Sequence, residues 1–97
     1  MEKNPNKVPL IFERHPDSNF EQADNNIKFF TDRSVEFQKL IDNVREIWSL
    51  NEKETLFFTA NLTTIINSNK DVGSIYDQYK SEDGFVYIQV NNMKTLG

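Results

Sequence analysis

The sequence predicts an α+β fold, a four- to five-stranded mixed sheet packed by one long and one short helix. Three observations predict it. Val8, Leu10 and Phe12 alternate at period two, the pattern of a half-buried strand. Phe37, Leu40, Ile41, Val44, Ile47 and Trp48 recur at helical spacing, with Gln38, Lys39, Asp42, Arg45 and Glu46 opposite. A second strand pattern, Phe85 to Val90, follows an Asp83-Gly84 turn near the end of the chain.

Taken in order, the first strand spans Lys7 to Arg14, with Ile11 on its other face. Pro9 belongs where its missing N–H is not needed. His15 to Asn25 is polar and reads as a loop around Phe20. Ile27 to Thr31 forms a second strand, with Ile27 and Phe29 facing one way and Lys28 and Phe30 the other. The long helix follows, with Ser34 as its N-cap and Glu36 in its first turn. Thr55 to Ala60 is continuously apolar and aromatic, the pattern of a central strand, and Thr64 to Ile66 forms a short edge strand. Ser68-Asn69-Lys70-Asp71 resembles a capping box, after which Val72, Ile75, Tyr76 and Tyr79 mark one face of a short helix. Trp48, Leu56, Phe57, Val86 and Ile88 are expected in the core. Asn91 to Leu96 has no periodicity and reads as a flexible tail. A single domain over 1–97 is expected, with a folded core over 7–90 and a tail over 91–97. The order strand, strand, helix, strand, helix, strand is a β-grasp arrangement, and a right-handed crossover sets the first and last strands side by side.

Composition narrows the function. With 97 residues, 37% hydrophobic and 27% charged, the chain is long enough for one core and too apolar for a disordered segment. The absence of cysteine removes disulfides, thiolate nucleophiles and cysteine metal sites. A net charge of −4 argues against nucleic acid or an anionic membrane surface as a direct partner. No apolar run approaches the roughly 20 residues of a membrane-spanning helix. His15, the one histidine, sits in the polar loop and reads as a solvated residue. The carboxylates form no calcium loop or glycosidase pair, and the three glycines form no phosphate loop, so no cofactor, metal or catalytic residue is assigned and the chain is not expected to be an enzyme. Asn61-Leu62-Thr63 fits a glycosylation sequon, which matters only in a secreted protein.

Several segments together resemble the GABARAP-type autophagy modifiers, ubiquitin-like proteins joined to phosphatidylethanolamine. They are Lys7-Val8-Pro9-Leu10-Ile11-Phe12-Glu13-Arg14, Lys28-Phe29-Phe30, Leu56-Phe57-Phe58, Ile75-Tyr76 and Asp83-Gly84-Phe85-Val86-Tyr87. The resemblance covers nearly the whole chain. It implies that the terminal glycine, Gly97, is the acyl donor, passed through activating and conjugating enzymes and served by a processing and deconjugating cysteine protease. It further implies receptors and adaptors carrying aromatic-x-x-aliphatic motifs. Pro9, Ile11, Lys28, Phe30 and Phe85 match the first, aromatic-accepting pocket. Phe29, Thr31, Val35 and Leu40 match the second, made more polar than usual by Thr31, Asp32 and Asn43. The implied location is the cytoplasm, and the autophagosomal membrane once lipidated.

Three departures stand against the pattern. The family's two N-terminal helices are expected to be lacking, since only seven residues precede Val8. Thr31-Asp32 replaces an apolar residue and a proline, and Ile47 stands where a basic residue is usual. The first departure also suits a sister autophagy modifier conjugated to a protein lysine. A third reading is a β-grasp interaction domain that is never conjugated.

Overall fold

The computed structural model describes residues 6–16, 18, 20, 26–51, 53–61 and 64–92. The elements are β1 (Lys7–Arg14), β2 (Ile27–Asp32), α1 (Phe37–Ile47), β3 (Phe57–Ala60), β4 (Thr64–Ile65), α2 (Val72–Tyr79) and β5 (Val86–Asn91). They build a five-stranded mixed sheet in the order β2-β1-β5-β3-β4. The first and last strands lie side by side and parallel, with Leu10 opposite Val86 and Phe12 opposite Ile88.

The alternation in β1 sets the core. Val8, Leu10 and Phe12 point inward and are buried, as are Val86, Ile88 and Val90 of β5. Phe12 is the centre of an aromatic cluster, stacked on Phe37 at 5.7 Å and edge-on to Phe29 at 5.4 Å and Phe58 at 6.0 Å. Burying the Phe12, Phe37 and Phe58 rings contributes about 1.5–3 kcal/mol each, and the edge-on contacts suit the ring quadrupoles. Pro9 lies just ahead of the first β1–β5 partner, Leu10, so no β5 acceptor is left waiting for its N–H.

Several boundaries and faces differ from the sequence reading. β3 is paired on both sides, by β5 and β4, as a central strand should be, but it begins at Phe57 rather than Thr55. Within β3, Phe58 enters the core while Phe57 and the preceding Leu56 are only partly buried. A continuous apolar run carries no period-two signal, so it cannot tell which of two adjacent phenylalanines points inward. On α1, Phe37, Leu40, Ile41, Val44 and the following Trp48 form the buried stripe, whereas Ile47 is 54% exposed. β5 starts one residue later and ends one residue later than its pattern, taking in Asn91.

The helix caps also differ. Ser34 lies inside a turn closed by Val35 N–H donating to Asp32 O at 3.2 Å, and α1 begins only at Phe37, with Glu36 in the N-cap position and no side-chain cap. Tertiary pairing replaces the cap: Phe37 N–H donates to Lys70 O at 2.9 Å, and Glu36 bridges Asp71. Asp71, the last residue of the expected capping box, is itself the N-cap residue of α2, and Ser74 Oγ donates to its carboxylate at 2.6 Å. That bond holds the Asp71 carboxyl below the usual carboxylate range.

The end of α1 carries a Schellman motif. Leu50 N–H donates to Arg45 O at 2.8 Å and Ser49 N–H to Glu46 O at 3.2 Å, with Ser49 at φ 54°. A residue with a Cβ is disfavoured in this left-handed region. Ser49→Gly is therefore expected to raise stability by about 0.5–1 kcal/mol, measured as a higher denaturant midpoint at unchanged slope. A lower midpoint would contradict this assignment of the turn.

Candidate functional site

The strand order leaves β2 at one edge of the sheet. Which of its backbone groups face that edge follows from one hydrogen bond. Arg33 N–H donates to Asn6 O at 2.8 Å, continuing a register that sets Lys7 opposite Asp32 and Pro9 opposite Phe30. In an antiparallel ladder, alternate residues turn their N–H and C=O toward the partner. Ile27, Phe29, Thr31 and Arg33 thus serve β1, while Lys28 and Phe30 direct both N–H and C=O, and Asp32 its N–H, to an edge that is open among the described residues; Asp32 O already accepts from Val35 N–H.

The side chains of those three residues are also the exposed ones of β2. Phe30 is 55% exposed, the most exposed large apolar residue among those described, and it does not pack in the core. It lies opposite Pro9, and Lys28 lies opposite Ile11, on the outer face of the sheet. Ile11 is flanked on its other side by Tyr87. Phe85 completes the group: Lys28 Nζ sits 5.2 Å from its ring centroid, and Tyr87 is 6.4 Å away, ring to ring. All five residues matched to the first pocket therefore meet on one surface, with an ammonium beside apolar walls.

Phe85 is fixed by the turn before β5. Gly84 adopts φ 89°, a left-handed conformation suited to glycine. Asp83 accepts from Phe85 N–H at 3.0 Å and from Tyr87 Oη–H at 2.5 Å, and Tyr76 Oη–H donates to Gly84 O at 2.8 Å. The Tyr87 bond pulls the Asp83 carboxyl below its ordinary range and raises the Tyr87 phenol. These anchors were not apparent from the sequence. The one available signal is that Asp83 and Tyr87 flank Phe85 on either side of a glycine turn.

Of the residues matched to the second pocket, Phe29 and Thr31 lie on the inner side of β2, Val35 in the turn after it and Leu40 on α1. Phe29, Thr31 and Val35 are half-buried, and Phe29 and Val35 pack against the core. Leu40 is only 2% exposed and belongs to the buried stripe of α1, so it offers a ligand almost no surface. The polar rim is present: Asp32 forms an ion pair with Lys7 at 3.7 Å. Next to it Arg33 donates to Gly73 O at 3.4 Å and pairs with Asp77, tying the end of β2 to α2. A Cβ on Gly73 would lie 2.8 Å from Arg33 Cβ, so this close approach depends on glycine.

Among the described residues no cluster of His, Cys, Asp or Glu is arranged to hold a metal ion. No helix of the described residues is long and apolar enough to cross a membrane. Of the tail expected over 91–97, Asn91 is instead the buried last residue of β5, and 93–97, Gly97 included, lie outside the described residues.

A parallel β1–β5 pair, a crossover helix and β2 at the sheet edge define a ubiquitin-like β-grasp protein. Residues 1–97 match the family described as "Autophagy protein Atg8 ubiquitin like", and the chain belongs to that family. It is 28% identical over 95 residues to human microtubule-associated protein 1 light chain 3 gamma, covering 98% of this chain and 65% of that protein. It is 29% identical over 97 residues to autophagy-related protein 8c of Arabidopsis thaliana, covering 99% of this chain and 79% of that one. The crystal structure of Trypanosoma brucei ATG8 superimposes with a TM-score of 0.82 at 28% identity, covering 99% of this chain and 81% of that chain. Because a light chain 3 protein is among the relatives, these similarities define the family and not the GABARAP-type branch within it.

Proposed function

We propose that this chain is a ubiquitin-like autophagy modifier that docks aromatic-x-x-aliphatic peptides and is conjugated through Gly97 to phosphatidylethanolamine. The observation that carries the docking reading is the meeting of Pro9, Ile11, Lys28, Phe30 and Phe85 beside an open strand edge. An extended peptide adds a strand to such an edge, and pockets take its alternate side chains. The aromatic residue enters between Phe30 and Phe85, and Lys28 pairs with acidic residues near the motif. Phe29, Thr31 and Val35 receive the aliphatic residue. Conjugation runs through the autophagy activating and conjugating enzymes, with a cysteine protease acting before and after. The protein works in the cytoplasm until lipidation brings it, and the receptors and adaptors it holds, to the autophagosomal membrane. The family relationship favours lipid over a protein lysine as the acceptor.

Calorimetric titration with a motif peptide tests the groove. Lys28→Ala/Phe30→Ala is expected to weaken binding by about tenfold or more, since a pocket for one apolar side chain is worth roughly 1.5–3 kcal/mol and 1.4 kcal/mol is tenfold. Both side chains are exposed, so the thermal midpoint should hold. Equal affinity of the double variant and wild type would remove this surface as the docking site.

A further inference from the structure

The exposed residues of β2 are complementary to themselves. Lys28, Phe30 and Asp32 share the outer face; Lys28 and Phe30 turn both N–H and C=O to the open edge, and Asp32 turns its N–H there while its O accepts from Val35 N–H. When a second copy approaches this edge antiparallel with Phe30 opposite Phe30, Lys28 falls opposite Asp32. Two-fold symmetry repeats the pair on the other side. The Phe30 pair would exchange both backbone hydrogen bonds, and each Lys28–Asp32 pair one, from Asp32 N–H to Lys28 O, since Asp32 O already accepts from Val35 N–H. Two opposite-charge pairs then bracket an aromatic pair, the cross-strand combinations that favour pairing. Other registers lose this match. Moving by two residues sets Phe30 against a charge, and moving further sets Lys28 against Lys28 or Asp32 against Asp32. A one-residue slip presents the groups that already serve β1.

We propose that two copies of this chain pair through β2 about Phe30, forming a two-fold dimer across the edge strand. The partner is a second copy because the charges complement one another only in the self-paired register. Lys7, 3.7 Å from Asp32, adds a second cation at each end of the pair. A six-residue strand buries little area, so the dimer is weak and depends on concentration. It occupies the edge assigned above to motif peptides, so self-pairing withholds the groove until a peptide competes. The competition rests on the docking reading, whereas the self-pairing does not.

Sedimentation equilibrium of the full chain, from about 10 μM to about 1 mM, tests the dimer without any peptide. Wild type is expected to rise from monomer toward dimer mass. Lys28→Asp sets two carboxylates opposite each other at both ends, and Asp32→Lys sets two ammonium groups there. Each variant alone should associate roughly tenfold or more weakly. An equimolar mixture of the two variants restores opposite charges at every position and should recover association. Thermal midpoints of both variants check that the fold is kept, since Asp32→Lys also faces Lys7. Monomeric wild type across the range would overturn the proposal. So would either variant self-associating like wild type, or a mixture no more associated than its components. Failure of peptide binding with the dimer intact would overturn only the docking reading.

Discussion

Trp48→Ala is expected to lower stability by about 3–5 kcal/mol, the cost of truncating a large buried aromatic residue. Trp48 is 1% exposed, at the end of the buried stripe of α1, and its ring lies 5.8 Å from that of Phe20 in the β1–β2 loop. The truncation would therefore leave a cavity and also release the loop residue that covers it. At roughly 4–8 °C per kcal/mol for a domain near this size, the thermal midpoint should fall by more than about 12 °C. Trp48→Phe separates packing from polarity. Among the described residues the indole Nε1 is buried without a hydrogen-bond partner, so phenylalanine removes an uncompensated donor along with some volume. Its loss should be well under half that of alanine. A midpoint for Trp48→Ala within a few degrees of wild type would show that α1 does not pack as described.

The parts of this fold legible in the sequence are those where one face is buried and the other wet. β1 shows clean alternation, with Val8, Leu10 and Phe12 buried and their neighbours outward. The stripe from Phe37 to Val44 shows a helical period for the same reason. Where both faces are apolar the signal disappears, and the Phe57-Phe58 pair was resolved only by strand register, with Phe58 opposite Val90 on the core side. Capping was misread because tertiary contacts supplied the partners: Lys70 O takes the Phe37 N–H that a side chain at Ser34 was expected to serve in another register. Ser49 carries no sequence signal for the end of α1, since the left-handed position it fills usually holds glycine. At the site, the outward direction of Lys28 and Phe30 was legible from alternation alone. That β2 is an edge strand was not, because strand order is set by long-range pairing. Leu40 fitted both a pocket and a helical stripe, and burial decided for the stripe.

Deleting Gly97 is expected to abolish conjugation while leaving peptide docking intact. Activation needs a free α-carboxylate that reaches a nucleotide and then an enzyme cysteine. Glycine has no Cβ to collide in a narrow channel, and its thioester leaves the carbonyl open to an attacking amine. The two proposed activities also draw on residues far apart along the chain. Phe85 precedes β5, while the chain leaves that strand after Asn91, about 20 Å along at roughly 3.3 Å per residue. Removing one terminal residue beyond that point should not disturb Lys28, Phe30 or Phe85. The experiment incubates wild type and the deletion variant with the autophagy activating and conjugating enzymes, ATP and phosphatidylethanolamine liposomes, followed by mass spectrometry. Wild type should form a thioester and then a lipid adduct, and the deletion neither, with motif-peptide affinity equal in both. An adduct to a protein lysine instead of lipid would mark the sister modifier. No thioester from wild type, where a relative of this family forms one under the same conditions, would leave a β-grasp binding module that is never conjugated.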